Sequence, residues 1–268
     1  MLVDMNPRAH GPLQAEIGMC VRPGRDLVQV AAGASTSIIA VGEGMCGHGS
    51  GWLGARRVVR ALVEQRGDAA AMPPTFVGAA SERDLPEARR RWFGGHAAVE
   101  VDALPLDLAE AFVVLEREVM AVAMPAGPPV ALAVGCIAIT LDGVHVRGAH
   151  AGPGRAVVLR RGGTRPEELV GPQLLEGVPL EVVANAIGML ATSGRAVERF
   201  DTALAAGDVL LALSRPLDLD DTELLALVDA HADAPLTALA RAIESRVGGA
   251  RSGGDVAFTL VRCVMLAP

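Results

Sequence analysis

A layered α+β sandwich is the architecture expected of this 268-residue chain. Blocks of short strands alternate with pairs of helices along it, in place of repeating strand–helix–strand units. Neighbouring strands are joined by turns too short for a parallel crossover, so they should pair antiparallel. Hydrophobic residues make up 51 % of the chain but aromatics only 3 %, so the core has to be built from Val, Leu, Ala and Ile.

Residues 13–21, 27–31 and 37–42 read as strands, the last a β-branched run ending at Val41. A helix follows over 51–66, with an amphipathic stretch from Trp52 to Gln65. Residues 67–104 are rich in Ala, Pro and Gly and read as a variable connection. Leu106 to Met124 is a second helix, with Leu108, Phe112, Leu115 and Val119 on one face. Strands are expected at 130–140, 143–149 and 155–161, with Asp142-Gly143 as a hairpin turn between the first two. Further strands fall at 197–203 and 208–214, helices at 220–231 and 234–247, and a last strand at 255–265. No obvious linker divides the chain, so one domain is expected over 1–268, with 1–12 as an N-terminal tail.

All 24 basic residues are Arg, and the net charge is −7, which disfavours nucleic acid and anionic membrane as partners. The N-terminal residues show no apolar export segment. Residues 119–141 carry no charge, but Pro125, Gly127, Pro128 and Pro129 interrupt them, so they read as helix end, turn and strand. Cys20, Cys46, Cys136 and Cys263 are too scattered for a zinc site and fit a reduced, cytoplasmic protein. Cys20, Cys136 and Cys263 lie in apolar runs and are expected in the core.

The chemistry concentrates in the glycine-rich loop after the third strand. Gly42-Glu43-Gly44-Met45-Cys46-Gly47 matches G-x-G-x-x-G between a strand and a helix, which raises a dinucleotide site. That reading needs parallel strand–helix–strand context, and the rest of the chain reads as hairpins.

The stretch Val41-Gly42-Glu43-Gly44-Met45-Cys46-Gly47-His48 also resembles the V-A-D-G-M-G-G-H signature of the metal-dependent (type 2C, PPM) protein phosphatases, in their bacterial form. Four further stretches resemble that family in the right order: Arg22 to Asp26, His150 to Arg155 with the strand after it, Ala206 to Leu217, and Gly253 to Ala257. Asn185 to Gly188 echoes the family more weakly, and the likeness spans roughly residues 14–264. It implies a four-layer α-β-β-α sandwich, two mostly antiparallel sheets flanked by helix pairs. It further implies a cluster of aspartates holding two Mg²⁺ or Mn²⁺ ions, between which a water attacks phosphoserine or phosphothreonine. Such hard cations need anionic oxygen ligands.

This sequence departs from the family at nearly every metal position. The shared Asp of the loop is Glu43, the Asp of Ser-Asp-Gly is Arg215, and the Asp of the C-terminal Asp-Asn pair is Gly254, with Asp255 one place later. The Asp of Gly-Asp-Ser-Arg is Pro153, followed by Gly154, and Arg25 takes the place of a Glu if Asp26 keeps that of Asp. The residual metal candidates are Glu43, Gly44 and Asp26. A guanidinium ~5 Å from a divalent ion costs roughly 6 kcal/mol at an effective dielectric of about 20, and Arg cannot shed its proton. The two-metal site is therefore expected to be lost and no cofactor is expected. Alternatively, Arg215 turns outward and one Mg²⁺ or Mn²⁺ survives on Glu43 and Asp26.

The resulting expectation is a pseudophosphatase, with Arg22, Arg155 and Arg215 converging on one cleft to hold a phosphate. A phosphoprotein, a kinase or an active phosphatase would be the partner. The alternatives are a weak phosphatase with a reduced metal set and a dinucleotide-binding enzyme. Glu43 has structural roles open to it as well, capping the helix or pairing with Arg22 or Arg215. Arg22 and Arg155 have the alternative of being solvated strand-end charges. Cys46 and His48 are read as small loop and turn residues, and Arg89-Arg90-Arg91-Trp92-Phe93 as a short packed helix. His96, His145, His150 and His231 show no metal-binding spacing.

Overall fold

The computed structural model describes residues 2–5, 13–22, 30–35, 37–45, 51–66, 75–77, 104–105, 107–123, 133–177, 182–248 and 256–265. The elements are β1 (Leu2–Met5), β2 (Leu13–Arg22), β3 (Val30–Ala34), β4 (Ile38–Gly44), α1 (Gly51–Arg66), β5 (Thr75–Val77), α2 (Leu108–Ala123), β6 (Val134–Asp142), β7 (His145–Ala151) and β8 (Arg155–Leu159). They continue with β9 (Glu167–Val170), α3 (Leu190–Ser193), β10 (Glu198–Ala203), β11 (Val209–Leu213), α4 (Asp221–Ala230), α5 (Leu236–Gly248) and β12 (Val256–Met265).

These strands form two six-stranded sheets, ordered β1-β2-β12-β11-β8-β9 and β10-β7-β6-β4-β3-β5. Every strand pairing among the described residues is antiparallel. Side chains alternate across a strand, and here the two faces enter different cores. Ile39 and Val41 of β4 point between the sheets, where they meet Ile17, Val158, Leu210 and Val261. Ile38 and Ala40 point the other way, onto Val59 and Leu62 of α1 and Phe112 of α2. Val157 and Leu211 of the first sheet likewise face Leu224 of α4 and Ile243 of α5. Three apolar interfaces thus separate four layers, α-β-β-α. Because both faces are buried, strands such as Val209–Leu213 show no polar alternation.

Local chemistry fixes the ends. Asp107 Oδ1 accepts from the Glu110 N–H at 2.9 Å at the start of α2, and Asp220 Oδ1 accepts from the Glu223 N–H at 2.7 Å at the start of α4. The β6–β7 hairpin turns at Gly143, whose φ of 59° suits glycine at the first loop position.

The structure differs from expectation mainly at sheet edges. Leu2–Met5 is no tail but pairs with β2 in the register Leu2↔Cys20. The connection over 67–104 contributes β5, which pairs with β3, while most of it lies outside the described residues. The edge strand Glu167–Val170 carries too little apolar pattern to be seen in the sequence. Cys20, Cys136 and Cys263 are buried, and burial pushes the Cys136 thiol far above its usual range. No described helix is long and apolar enough to cross a membrane.

Candidate functional site

The strand alternation that sends Ile39 and Val41 between the sheets sends Glu43 there too, at the end of β4. Its residue is only 3 % exposed. From the other sheet, β11 ends at Leu213, and Ser214 is then tied to β12. The Ser214 N–H donates to the Ala257 carbonyl at 2.8 Å, and Ser214 Oγ accepts from the Ala257 N–H at 3.0 Å. The next residue, Arg215, leaves the strand and reaches across the sandwich. Its Nε donates to Glu43 Oε2 at 3.0 Å and its Nη2 to Glu43 Oε1, a two-point fork between residues 172 positions apart. The carboxylate side chain is 4 % exposed and the guanidinium side chain 41 %.

A cavity of about 420 Å³ opens beside this ion pair. Apart from Glu43 and Arg215, its walls are largely apolar, including Met45, Pro153, Leu174, Val183 and Met189. Pro153 arrives there because the β7–β8 connection passes tightly over β6. Gly152 has a φ of 124°, and a Cβ on it would lie 2.4 Å from the Gly135 Cα, so only glycine lets the two strands approach. Gln173 then clasps the connection. The Gly152 N–H donates to Gln173 Oε1 at 3.1 Å, and the Gln173 N–H donates to the Gly152 carbonyl at 2.8 Å. That clasp sets the neighbouring Leu174 into the cavity wall. Below it, His150 is fully buried, with Nδ1 3.2 Å from Glu198 Oε2. Burial holds its imidazole below the ordinary histidine value despite the hydrogen bond and charge of Glu198.

Of the residues singled out in the sequence, the structure brings Glu43, Gly44, Pro153 and Arg215 to this cavity. Glu43 pairs with Arg215, one of the structural roles open to it, and Arg215 turns inward, not outward. Arg155 does not join them. Its alternation matches that of Val157 and Leu159, so it faces the helices, where Nε donates to Glu168 Oε2 at 2.8 Å and Nη1 to Asp221 Oδ1 at 3.0 Å. Arg22 ends β2 opposite Val256, and its side chain lies outside the described residues, as do Asp26, Cys46, His48, His96, Arg89–Phe93 and Asp255. Gln173, Leu174, Val183 and Met189 were not singled out. They come from an irregular connection with no periodic signal.

Among the described residues, no group of three or more His, Cys, Asp or Glu side chains gathers to hold a metal. The carboxylate that the cavity does contain is covered by a permanent cation. The described donor set therefore does not fit a pair of divalent ions as it stands. The dinucleotide reading fails for a different reason. The strand before the glycine loop has antiparallel neighbours on both sides, β3 and β6, where that site requires a parallel crossover.

No family model and no curated protein matches the sequence. Solved structures do match in three dimensions. The serine/threonine phosphatase of S. agalactiae superposes with a TM-score of 0.67 at 15% identity, covering 92% of this chain and 99% of that one. PppA of Pseudomonas aeruginosa, a regulatory component of T6SS, gives 0.65 at 19% identity, with 93% and 97% covered. The catalytic domain of the phosphatase PstP in complex with 2 manganese ions gives 0.59 at 17% identity, with 94% and 99% covered. This last structure corrects the expectation of no cofactor: the scaffold is one that holds manganese in at least one protein, so absence of a metal does not follow from its architecture. Nearly the whole length of the chain takes part in these superpositions, and it therefore has the fold of the PPM serine/threonine phosphatases.

Proposed function

We propose that this chain is a cytoplasmic phospho-signalling protein on the PPM scaffold that captures a phosphorylated segment and hydrolyses it slowly or not at all. The observation that carries this reading is the fork between Arg215 and the buried Glu43. A divalent ion reaches that carboxylate only by displacing a guanidinium, against a repulsion of roughly 6 kcal/mol at ~5 Å and an effective dielectric of about 20. A phosphoryl group meets the opposite situation. Guanidinium is suited to two-point binding of phosphate oxygens, and the cavity walls offer apolar contact to the segment bearing it. The partner is a phosphoprotein, with a kinase or an active phosphatase of the same pathway as the alternatives.

The test is hydrolysis of p-nitrophenyl phosphate with millimolar Mn²⁺, beside binding of a phosphoserine peptide by fluorescence anisotropy. Peptide binding with turnover near background is expected. Robust Mn²⁺-dependent turnover that disappears in Glu43→Ala defeats the proposal. The manganese complex of PstP favours a second reading, a weak metal-dependent phosphatase in which Arg215 leaves Glu43 during turnover.

A further inference from the structure

The cavity beside Arg215 is larger and more apolar than a phosphoryl group needs. A space of about 420 Å³ is about 9 Å across if round. Its charge comes from the Arg215–Glu43 pair, whose carboxylate is enclosed and whose guanidinium is exposed, so the pair turns its cationic end outward. Much of the remaining wall is Met45, Leu174, Val183 and Met189, each half-buried. Half-buried apolar side chains still have surface to lose to a ligand.

These walls are held in place. Leu174 and Val183 face each other in an antiparallel bridge. On either side of it the Leu175 N–H donates to the Val182 carbonyl and the Ala184 N–H to the Gln173 carbonyl, both at 2.8 Å. Successive residues of such a ribbon point to opposite faces. Leu174 and Val183 accordingly line the cavity, while Leu175 and Val182 are exposed. Met189 lies in a loop closed by the buried Asn185, whose Nδ2 donates to the Ala196 carbonyl at 3.2 Å and whose Oδ1 accepts from Ser193 Oγ at 2.9 Å.

An anion on the guanidinium alone leaves most of this space to water against apolar walls, and an apolar group displaces such water favourably. Chain geometry selects the group. In an extended segment adjacent residues project to opposite sides, whereas residues two apart share a side and lie about 6.6 Å from each other. That spacing fits within the cavity. We infer that the cavity reads a phosphorylated serine or threonine together with an aliphatic side chain two positions away. The phosphoryl group meets the exposed part of Arg215 while the fork on Glu43 stays closed, and the aliphatic side chain packs among Met45, Leu174, Val183 and Met189. This deepens the phosphopeptide-binding reading and rests on it. The partner class narrows to phosphoproteins with Leu, Ile, Val or Met at the second position before or after the phosphorylated residue.

The experiment compares, by fluorescence anisotropy on the full chain, the Kd of an alanine-flanked phosphoserine peptide with those of peptides carrying one Leu at the first or second position on either side. Leu at a second position, on one side of the phosphoserine, should tighten binding at least about tenfold, the scale of burying one Leu side chain. Leu at either first position should change it less than about threefold. The near-isosteric Leu174→Asn and Met189→Gln should each reduce the tenfold gain, whereas Leu175→Asn, on the outer face of the ribbon, should keep it. No gain from Leu at either second position overturns the inference and leaves phosphopeptide binding standing. An equal gain at a first position, or a gain lost in Leu175→Asn and kept in the two cavity variants, overturns it as well. No binding of any of the phosphopeptides overturns the functional reading and the inference together. The wild-type comparison decides even if a cavity variant fails to fold.

Discussion

Two arginine–glutamate pairs lie toward opposite ends of the first sheet and are built in opposite senses. Arg262 of β12 stands opposite Val209, the first residue of β11, and its guanidinium side chain is 7 % exposed. Nε and Nη2 donate to Glu16 at 3.0 and 2.5 Å. Nη1 donates to the carbonyls of His231 and Ala232, and Nη2 to that of Ala234, at 3.2, 3.2 and 2.7 Å. Its N–H groups make five hydrogen bonds to four acceptor oxygens, and the cation staples the α4–α5 connection to the sheet. Past the other end of β11, Arg215 has the converse arrangement, with the carboxylate sealed in and the cation opening on a cavity. The same two residue types serve the fold where the cation is enclosed and a site where it can be reached.

If that contrast holds, the largest loss of stability follows removal of the enclosed cation. Arg262→Ala leaves three helix-end carbonyls and Glu16 without their donor, and should cost about 3–5 kcal/mol in urea denaturation. Arg262→Lys should recover only part of this, since three ammonium donors cannot meet four acceptors. A loss under about 1 kcal/mol for Arg262→Ala ends the claim that it staples the fold.

The second effect is an asymmetry within the exposed pair. Arg215→Ala takes the cation off a buried carboxylate and should cost about 2–3 kcal/mol, less than removing the fully enclosed Arg262. Glu43→Gln leaves a guanidinium that water can reach, and should cost about 1 kcal/mol or less. Equal losses in the two variants would mean that Arg215 is as confined as Arg262, and would remove the basis for its being reached from the cavity.

Much of this arrangement is legible in the sequence and some is not. Glu43 and Arg215 stand out because they occupy motif positions at strand ends, where the apolar run stops and a charge follows. The four layers follow from block order and short turns. Arg155 shows what is lost. Ala156, Val157, Val158 and Leu159 are buried on both faces of the sheet, so no polar alternation reveals that Arg155 faces the helices and binds Asp221, not the cavity. The walls at Leu174, Val183 and Met189 are set by the Gly152–Gln173 clasp, a contact over 21 positions that no local pattern encodes. The edge strands β1 and β9 were hidden because their pairing depends on a neighbour's edge more than on their own residues.

His150 extends the comparison to a buried base that, unlike arginine, can give up its charge. It is fully buried, and its Nε2 has no hydrogen-bond partner among the described residues. Burial depresses its folded-state value below the ordinary 6.5, outweighing the hydrogen bond and charge of Glu198. Below about pH 6.5 the unfolded chain therefore binds a proton that the folded chain refuses, so stability falls as pH falls through that value toward the folded one. The loss from this group is at most about 0.8 kcal/mol at pH 6, however far the folded value is displaced, because the unfolded histidine is only partly charged there. Urea midpoints of the wild type and His150→Gln, compared between pH 7.5 and 6, should diverge by that much or less, the wild type falling faster. Parallel curves would show that His150 carries its proton inside the fold. It would then be a second enclosed cation, paired with Glu198 as Arg262 is with Glu16.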